Sequence, residues 1–127
     1  MNRLRSSFSM QGFDLQLRNG VIELRAQGER LAGDERAPAA AFTSIAAKLD
    51  SQLILYDVRD ANYRLSELEW DERLRFVARL FSGYRTAYII RADQKTAASR
   101  ACKAHARNGD KARAFTSKGV ARDWLIR

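Results

Sequence analysis

The N-terminal part of the chain alternates between apolar and polar residues with a period of two. Apolar residues alternate with polar ones over approximately residues 12–18, an apolar-rich run follows over residues 21–27, and Asn19-Gly20 lies between them. This alternation is typical of strands with one buried face, and Asn-Gly favours the tight turn of a hairpin. The pattern therefore predicts an antiparallel pair of strands, preceded by a flexible lead-in over residues 1–11.

Beyond residue 36, apolar residues recur in two ways, at helical spacing and in short continuous runs. Continuous runs are typical of strands in a sheet that is covered on both faces. Helices are predicted from Pro38 to about Asp50, Ser66 to Gly83, Lys95 to Asn108 and Ser117 onwards, and strands over 53–58, 84–92 and 111–116. Alternation of this kind favours a mostly parallel sheet with right-handed crossovers. The sequence predicts one α/β domain over residues 12–127, with about five strands and four helices.

The net charge of +8 arises entirely in the last third of the chain. Residues 1–83 hold 12 Lys/Arg and 12 Asp/Glu, whereas residues 84–127 hold 11 Lys/Arg and 3 Asp/Glu, and 11 minus 3 is +8. A one-sided basic field attracts nucleic acid, an anionic membrane surface or an acidic partner protein. Four cations that fall largely along one side of the third predicted helix are the candidate anion-binding set: Lys95, Arg100, Lys103 and Arg107.

A solvated basic face is the favoured interpretation of these cations. Binding to single-stranded nucleic acid usually adds exposed aromatic side chains to the cations. Only Phe115 and Trp124 lie nearby in the sequence, and both are expected in the core. Nucleic acid is therefore an unfavoured partner, although the sequence leaves it open.

Cys102 and His105 are the only cysteine and histidine, three residues apart on one predicted helix. A structural zinc site needs four such ligands and a catalytic one usually three, so no metal site is predicted. A Cys–His nucleophile pair would need a third orienting group. The favoured interpretation is a partly buried thiol and a solvated histidine at the helix end. Glycine motifs that bind phosphate are also missing from the sequence, so the chain is predicted to be non-enzymatic and to need no cofactor.

Three carboxylates lie at the end of the central predicted strand or after it. Asp57, Asp60 and Glu67 lie near the carboxyl ends of the parallel strands, where open α/β sheets place ligands. Carboxylates in this position can bind a cation or transfer a proton. Because no partner base, nucleophile or oxyanion-stabilising group accompanies them, surface and contact roles are favoured over catalysis.

The order of elements and the closing strand and helix resemble the SpoIIAA-like group, which includes STAS domains and anti-sigma factor antagonists. The resemblance spans roughly residues 12–127. Its most specific part is Ala112-Arg113-Ala114-Phe115-Thr116 followed by Ala121-Arg122-Asp123-Trp124-Leu125. The resemblance implies a SpoIIAA-like fold: a mixed, mostly parallel sheet of about five strands with an antiparallel N-terminal edge hairpin, and four helices.

In the antagonist branch of that group, a phosphorylatable serine opens the helix after the central strand within an Asp-Ser-Ser-Gly or Asp-Ser-Thr-Gly motif. Residues 64–67 read Arg-Leu-Ser-Glu here, so Ser66 matches the serine while the motif's aspartate and glycine are absent. Ser66 is also accounted for as a helix cap, because with Glu69 it forms a capping box. The resemblance makes four residues a candidate switch or contact surface: Ser66, Asp57, Asp60 and Glu67.

The resemblance implies a non-enzymatic regulatory or interaction domain that acts by protein–protein contact or by binding a small ligand. The alternative is anion or nucleic-acid binding through the basic C-terminal third. Opposite charges on the start of the second predicted helix and on the C-terminal third favour self-association, which would give a symmetric homodimer. The apolar runs are only strand-sized, so no membrane span is predicted. A single cysteine fits a reducing bacterial cytoplasm, which is the expected location.

Overall fold

The computed structural model describes residues 7–127, which form one six-stranded sheet with helices on both faces. The strands are β1 (Ser7–Met10), β2 (Phe13–Arg18), β3 (Val21–Arg30), β4 (Leu53–Tyr63), β5 (Arg85–Ile89) and β6 (Ala112–Phe115). The helices are α1 (Arg36–Ala46), α2 (Glu67–Leu80), α3 (Lys95–Arg107) and α4 (Lys118–Leu125). The strands lie in sequence order, antiparallel from β1 to β3 and parallel from β3 to β6. The predicted mixed α/β class is confirmed.

The predicted count of about five strands was one too low. The additional strand is β1, which the sequence analysis had assigned to the lead-in and which pairs antiparallel with β2. Phe8 and Met10 point toward the same side and pack against the core. Two apolar positions are too few to show a period-two pattern, and for that reason the strand escaped prediction. Residues 1–6 of the predicted lead-in lie outside the described residues.

The turn between β2 and β3 has the backbone conformation that its sequence predicts. Asn19 and Gly20 have φ angles of 52° and 77°. Positive φ at both central residues is the requirement of the type I′ turn, whose twist matches that of the flanking strands. The local chemistry of two residues thus sets the register of the hairpin, in which Arg18 pairs with Val21.

The core has two layers, one on each face of the sheet. Helices α1, α2 and α3 cover one face and bury Phe42, Val77 and Ala98 against side chains of β2 to β5. Helix α4 covers the other face over a smaller area and buries Ala121 and Leu125 against Val21, Leu55, Ala87 and Ile89. The uneven cover leaves part of the second face of β1 to β4 polar.

Strand β4 is longer than the continuous apolar run that predicted it. It extends to Tyr63, beyond the predicted end at residue 58, because residues 60–63 pair in parallel with residues 27–30 of β3. Strand β5 pairs with β4 only as far as Asp57. The last residues of β4 therefore project past the carboxyl end of β5, and they form one wall of the candidate site.

Candidate functional site

A cleft of ≈ 520 Å³ lies between α2 and α3, at the carboxyl ends of β4 and β5. Its floor is formed by Tyr56 and Tyr88, whose rings stack with centroids 5.7 Å apart. The α2 wall carries Trp70, Leu74 and Val77, and the α3 wall carries Ala97, Ala98 and Ala101. The sequence makes this space because α3 presents only alanines towards it, whereas α2 presents large side chains. A ligand entering the cleft would meet mainly apolar and aromatic surface.

One buried cation lies among these apolar side chains. Arg73 of α2 lines the cleft with a side chain only 10% exposed. Its Nη2 donates to the hydroxyls of Tyr56 and Tyr63 at 3.4 and 3.3 Å, and its Nη1 lies 3.5 Å from Oε2 of Glu35. Burial alone would lower the pKa of Arg73, but the neighbouring oxygens outweigh it and raise the pKa, so the guanidinium stays charged.

Tyr63 joins the end of β4 to helix α2. Its ring lies 5.3 Å from the Trp70 ring, and the Arg73 guanidinium sits 4.7 Å above its centroid. Burial raises the pKa of Tyr63 well above its ordinary value, so the hydroxyl keeps its proton at neutral pH. The neighbouring hydroxyls of Tyr63 and Tyr56 therefore keep one hydrogen-bond donor at the edge of an apolar cleft.

The mouth of the cleft is held by side chains from the segment that precedes α3. Gln94 Nε2 donates to the carbonyl oxygen of Val58 at 2.8 Å, and Arg91 Nη1 donates to the carbonyl oxygens of Arg59 and Ala61. These hydrogen bonds satisfy carbonyls of the projecting end of β4, which β5 does not reach. They fix the start of α3 against β4 and so keep the cleft formed.

Behind the floor lies a buried histidine. His105 is 1% exposed, and its Nε2 lies 2.7 Å from the Tyr88 hydroxyl. The interpretation of His105 as a solvated residue was therefore wrong. Ala98, Ala101 and His105 follow at spacings of three and four, so the histidine belongs to the buried face of α3. It does not line the cleft itself.

We expect His105 to make the domain less stable in mild acid. Burial lowers its pKa from the ordinary 6.5, with Asp110 opposing the shift. Below about pH 6.5 the unfolded chain therefore binds a proton that the folded chain refuses. The free energy of unfolding should fall as the pH drops through this region, by at most ~1.4 kcal/mol per pH unit, and level off below the folded-state pKa. Urea unfolding between pH 7.5 and 5 measures this slope.

His105→Gln is the matched variant for this measurement, since a neutral amide cannot take up the proton. Its free energy of unfolding should change little between pH 7.5 and 5. The pKa of Asp57 is lowered from 3.8, so the stability that this carboxylate contributes is lost only at a more acidic pH, outside the range from 7.5 to 5. An equal slope in both proteins would contradict the assignment to His105.

The candidate switch serine is the N-cap of α2, and the predicted capping box is confirmed. Ser66 Oγ accepts a hydrogen bond from the Glu69 backbone N–H at 3.2 Å, and the Ser66 N–H donates to Glu69 Oε1 at 2.8 Å. Ser66 and Glu67 are exposed at the start of the helix and do not line the cleft. Ser66 stays a candidate switch or contact residue.

Asp57 and Asp60 both lie on strand β4, so Asp60 does not follow the strand as predicted. Their carboxylates pair with neighbouring arginines on the polar side of the sheet, Asp57 with Arg59 at 2.9 Å and Asp60 with Arg25 at 2.6 Å. The structure therefore separates them from Ser66 and Glu67. The four residues do not form one constellation, because the continuation of β4 carries the chain away from the two aspartates.

The basic set on α3 is also divided. Arg100 binds α2, with Nη2 2.7 Å from Asp71 Oδ1 and Nη1 3.4 Å from Glu67 Oε2. Lys95, Lys103 and Arg107 are exposed and form no ion pair within residues 7–127. Three exposed cations remain as the candidate anion-binding surface, while the fourth fastens α3 to α2.

Cys102 has no catalytic arrangement around it in the described part of the chain. The thiol is half-buried and burial raises its pKa, which disfavours the reactive thiolate. The His105 Nε2 partner is Tyr88 rather than the thiol. Residues 7–127 also contain no group of three or more His, Cys, Asp or Glu side chains that could hold a metal ion.

Tyr63 and Arg73, which define the polar end of the cleft, were missed by the sequence analysis. A signal for Arg73 was present, since it lies three residues after Trp70 and four before Val77, in the apolar stripe of α2. A cation inside such a stripe needs a buried partner. No comparable signal marks Tyr63, because its position depends on the extension of β4.

Comparison with known proteins supports the fold. No protein-family model matches the chain, and no curated protein matches it. A solved structure from Shewanella loihica PV-4, an uncharacterised protein of the DUF3478 family with a SpoIIAA-like fold, is similar with a TM-score of 0.65 and 19% sequence identity. The alignment covers 89% of this chain and 91% of the Shewanella chain. The protein has the SpoIIAA-like fold, as its element order and closing strand and helix predicted.

Proposed function

We propose that this SpoIIAA-like domain is non-enzymatic and binds a small, mostly apolar ligand in the cleft between α2 and α3. The observation that carries the proposal is the cleft itself, with ≈ 520 Å³ of space and a lining that combines apolar walls with a few convergent polar groups. Small-molecule sites are typically of about 300–1,000 Å³ and have this composition. The site also lies beyond the carboxyl ends of parallel strands, where open α/β sheets bind ligands.

The other candidate functions have less support from the described residues. A phospho-switch at Ser66 would place a phosphate beside the acidic side chains of Glu67 and Glu69, and Asp57 and Asp60 are held on the opposite face of the sheet. Anion or nucleic-acid binding through α3 would lack Arg100, which is occupied by two acidic partners. A small ligand is favoured because the cleft is a concave and largely apolar surface onto which a few polar groups converge.

The side chains at the cleft favour binding over catalysis. The residues that line it include no serine, threonine, cysteine, lysine or histidine within the described part of the chain. Burial raises the pKa of Tyr63 and of Tyr88 above the ordinary 10. Groups with such pKa values are poor acids and bases near neutral pH. The non-enzymatic assignment rests on this combination.

Ala97→Phe is expected to abolish binding of an apolar probe. Ala97 lies on the α3 wall and is only partly buried, so a phenyl ring there would project into the cleft without entering the core. The probe is N-phenyl-1-naphthylamine, whose fluorescence rises in an apolar environment. We expect saturable binding to the natural protein and a loss of affinity of about tenfold or more in the variant, since filling the site removes most of the buried contact area.

Thr96→Phe is the matched control for the same measurement. Thr96 is the preceding residue of α3, is exposed, and does not line the cleft. This variant should bind the probe with the natural affinity. Failure of the natural protein to bind the probe, or equal affinity in Ala97→Phe, would contradict the proposed site.

A further inference from the structure

We infer that the ligand of the cleft is an amphipathic organic acid whose carboxylate, or a comparable oxyanion, is bound by Arg73. This inference rests on the proposed function and adds the chemical class of the ligand. Three features of the described residues lead to it: the loose contacts of the Arg73 guanidinium, the direction of hydrogen bonding at the tyrosines, and the pairing of the other charges around the cleft.

The Arg73 guanidinium is buried but weakly bound. Its contacts with Tyr63, Tyr56 and Glu35 measure 3.3, 3.4 and 3.5 Å. Charge-assisted hydrogen bonds of an arginine with a carboxylate are typically about 2.7–2.9 Å long. The guanidinium has five N–H groups in a planar fork, so it retains donors for an acceptor in the cleft. A buried cation with long contacts gains free energy when such an acceptor arrives.

The tyrosines beside Arg73 also present a donor. The hydroxyl oxygens of Tyr56 and Tyr63 accept hydrogen bonds from Nη2 of Arg73, and the two hydroxyls also hydrogen-bond to each other, which leaves one hydroxyl proton to donate elsewhere. Tyr63 stays protonated because burial raises its pKa. This end of the cleft therefore presents an N–H fork and one O–H group, and a ligand must bring acceptor atoms to satisfy them. A carboxylate brings two oxygens in the spacing that matches the fork.

The other charges around the cleft are already paired. At the mouth, Arg64 lies 3.1 Å from Glu29 and Arg91 lies 3.0 Å from Asp93. Glu35 touches Arg73 from the neighbouring small cavity and does not line the cleft. The deep end of the cleft thus holds one cation and no carboxylate of its own.

A neutral apolar ligand would bind in this arrangement more weakly than an acid of the same shape. It would exclude water from Arg73 without replacing the lost hydrogen bonds, and leaving a charged donor unsatisfied carries a large cost. An acid with an apolar body of one or two rings, or an equivalent aliphatic chain, satisfies both parts of the cleft. Its body would pack on Trp70, Leu74 and the alanines of α3, and its carboxylate would reach Arg73.

The test uses two fluorescent probes that differ by one anionic group. They are N-phenyl-1-naphthylamine, which is neutral, and 1-anilinonaphthalene-8-sulfonate, which has the same ring system with a sulfonate. Arg73→Met removes the donors but retains a long apolar side chain. We expect this variant to lose about tenfold or more in affinity for the sulfonate probe, the effect of one charge-assisted hydrogen bond. It should bind the neutral probe at least as tightly as the natural protein does, because no charged donor is then left unsatisfied.

Arg75→Met is the matched control, since it removes an exposed cation of the same helix that does not line the cleft and leaves Arg73 in place. It should bind both probes as the natural protein does. Equal affinity for the sulfonate probe in Arg73→Met, or parallel loss of both probes, would overturn the assignment of an acidic ligand. Binding of neither probe to the natural protein would instead contradict the proposed function.

A competition experiment on the unaltered protein keeps the inference testable if Arg73→Met does not fold. The competitors are 4-phenylbutyrate and 4-phenylbutanol, which have the same apolar body but end in a carboxylate and in a neutral hydroxyl, respectively. We expect the acid to displace N-phenyl-1-naphthylamine at a concentration about tenfold lower than the alcohol requires. Displacement at equal concentrations, or more readily by the alcohol, would overturn the inference.

Discussion

Phe81→Ala is expected to lower the free energy of unfolding by about 3–5 kcal/mol, the usual cost of removing a buried phenyl ring. Phe81 is 2% exposed and lies directly after α2. Its ring contacts those of Phe42, Tyr56 and His105, with centroids 5.1, 6.0 and 6.2 Å away. One side chain thus connects α1, β4 and α3. Because the surrounding rings belong to separate elements, they cannot all move in to fill the cavity that the substitution leaves. Urea unfolding followed by circular dichroism measures the change.

Leu68→Ala is the control for this prediction. Leu68 is a large apolar side chain on α2 that is 65% exposed, so its removal should change the free energy of unfolding by less than about 0.5 kcal/mol. Both variants remove apolar atoms from the same region of the chain, and they differ in burial. If Phe81→Ala cost no more than Leu68→Ala, the packing of the three helices around Phe81 would be contradicted.

The elements that could be predicted from sequence are those set by local chemistry. Asn19-Gly20 sets the first hairpin, the Ser66 and Glu69 capping box starts α2, and Gly83 ends the α2 region with a φ of +85°. Each of these signals acts over at most a few residues, so the sequence shows it directly. Alternation of such segments then limits the topology to a mostly parallel sheet, because right-handed crossovers are strongly preferred.

The cleft could not be predicted in this way, because it depends on how far elements extend in space. It exists because β4 runs to Tyr63 and because α3 faces it with alanines while α2 faces it with larger side chains. The extension of β4 has no apolar run to mark it, since residues 59–63 include polar and charged positions. It is stabilised by pairing with the end of β3, which is a non-local interaction.

The incorrect interpretation of His105 has a different cause. Its spacing from Ala98 and Ala101 placed it on the buried face of α3, but its polar side chain and its position near the helix end favoured solvent exposure. The buried position is compatible with a histidine because Tyr88 supplies a hydrogen-bonding partner at 2.7 Å. The partner lies 17 residues away on β5, so periodicity alone could show which face His105 occupies but could not show that Nε2 has a hydrogen-bonding partner there.

The basic character of the C-terminal third acquires a partial structural explanation. Arg100 pairs with acidic residues of α2, and Lys118 and Arg122 pair with Glu23 of β3. These cations of the last third therefore join it to the charge-balanced first part of the chain. The segregation of charge along the sequence reflects, in part, contacts between elements that are distant in sequence. Among the acidic residues in these pairs, Glu23 is the most deeply buried.

Glu23→Ala is expected to lower the free energy of unfolding by about 2 kcal/mol and to loosen α4. The Glu23 side chain is 8% exposed, with Lys118 Nζ 3.2 Å from Oε1 and Arg122 Nη1 bound to Oε2. Because both cations keep partial contact with water, they can be solvated after the carboxylate is removed, which limits the loss. Urea unfolding measures the stability, and limited proteolysis should show faster cleavage after the cations of α4.

A double-mutant cycle separates the ion pair from simple loss of packing. Arg122→Ala is combined with Glu23→Ala. The loss of unfolding free energy in the double variant should be smaller than the sum of the two single losses by about 1–2 kcal/mol. Lys111→Ala, at an exposed position without an ion pair in the described part of the chain, should add independently to Glu23→Ala. Full additivity of Glu23 and Arg122 would mean that charge pairing does not hold α4 on the sheet. In that case the apolar contacts of Ala121 and Leu125 with Val21 and Leu55 would hold the helix alone.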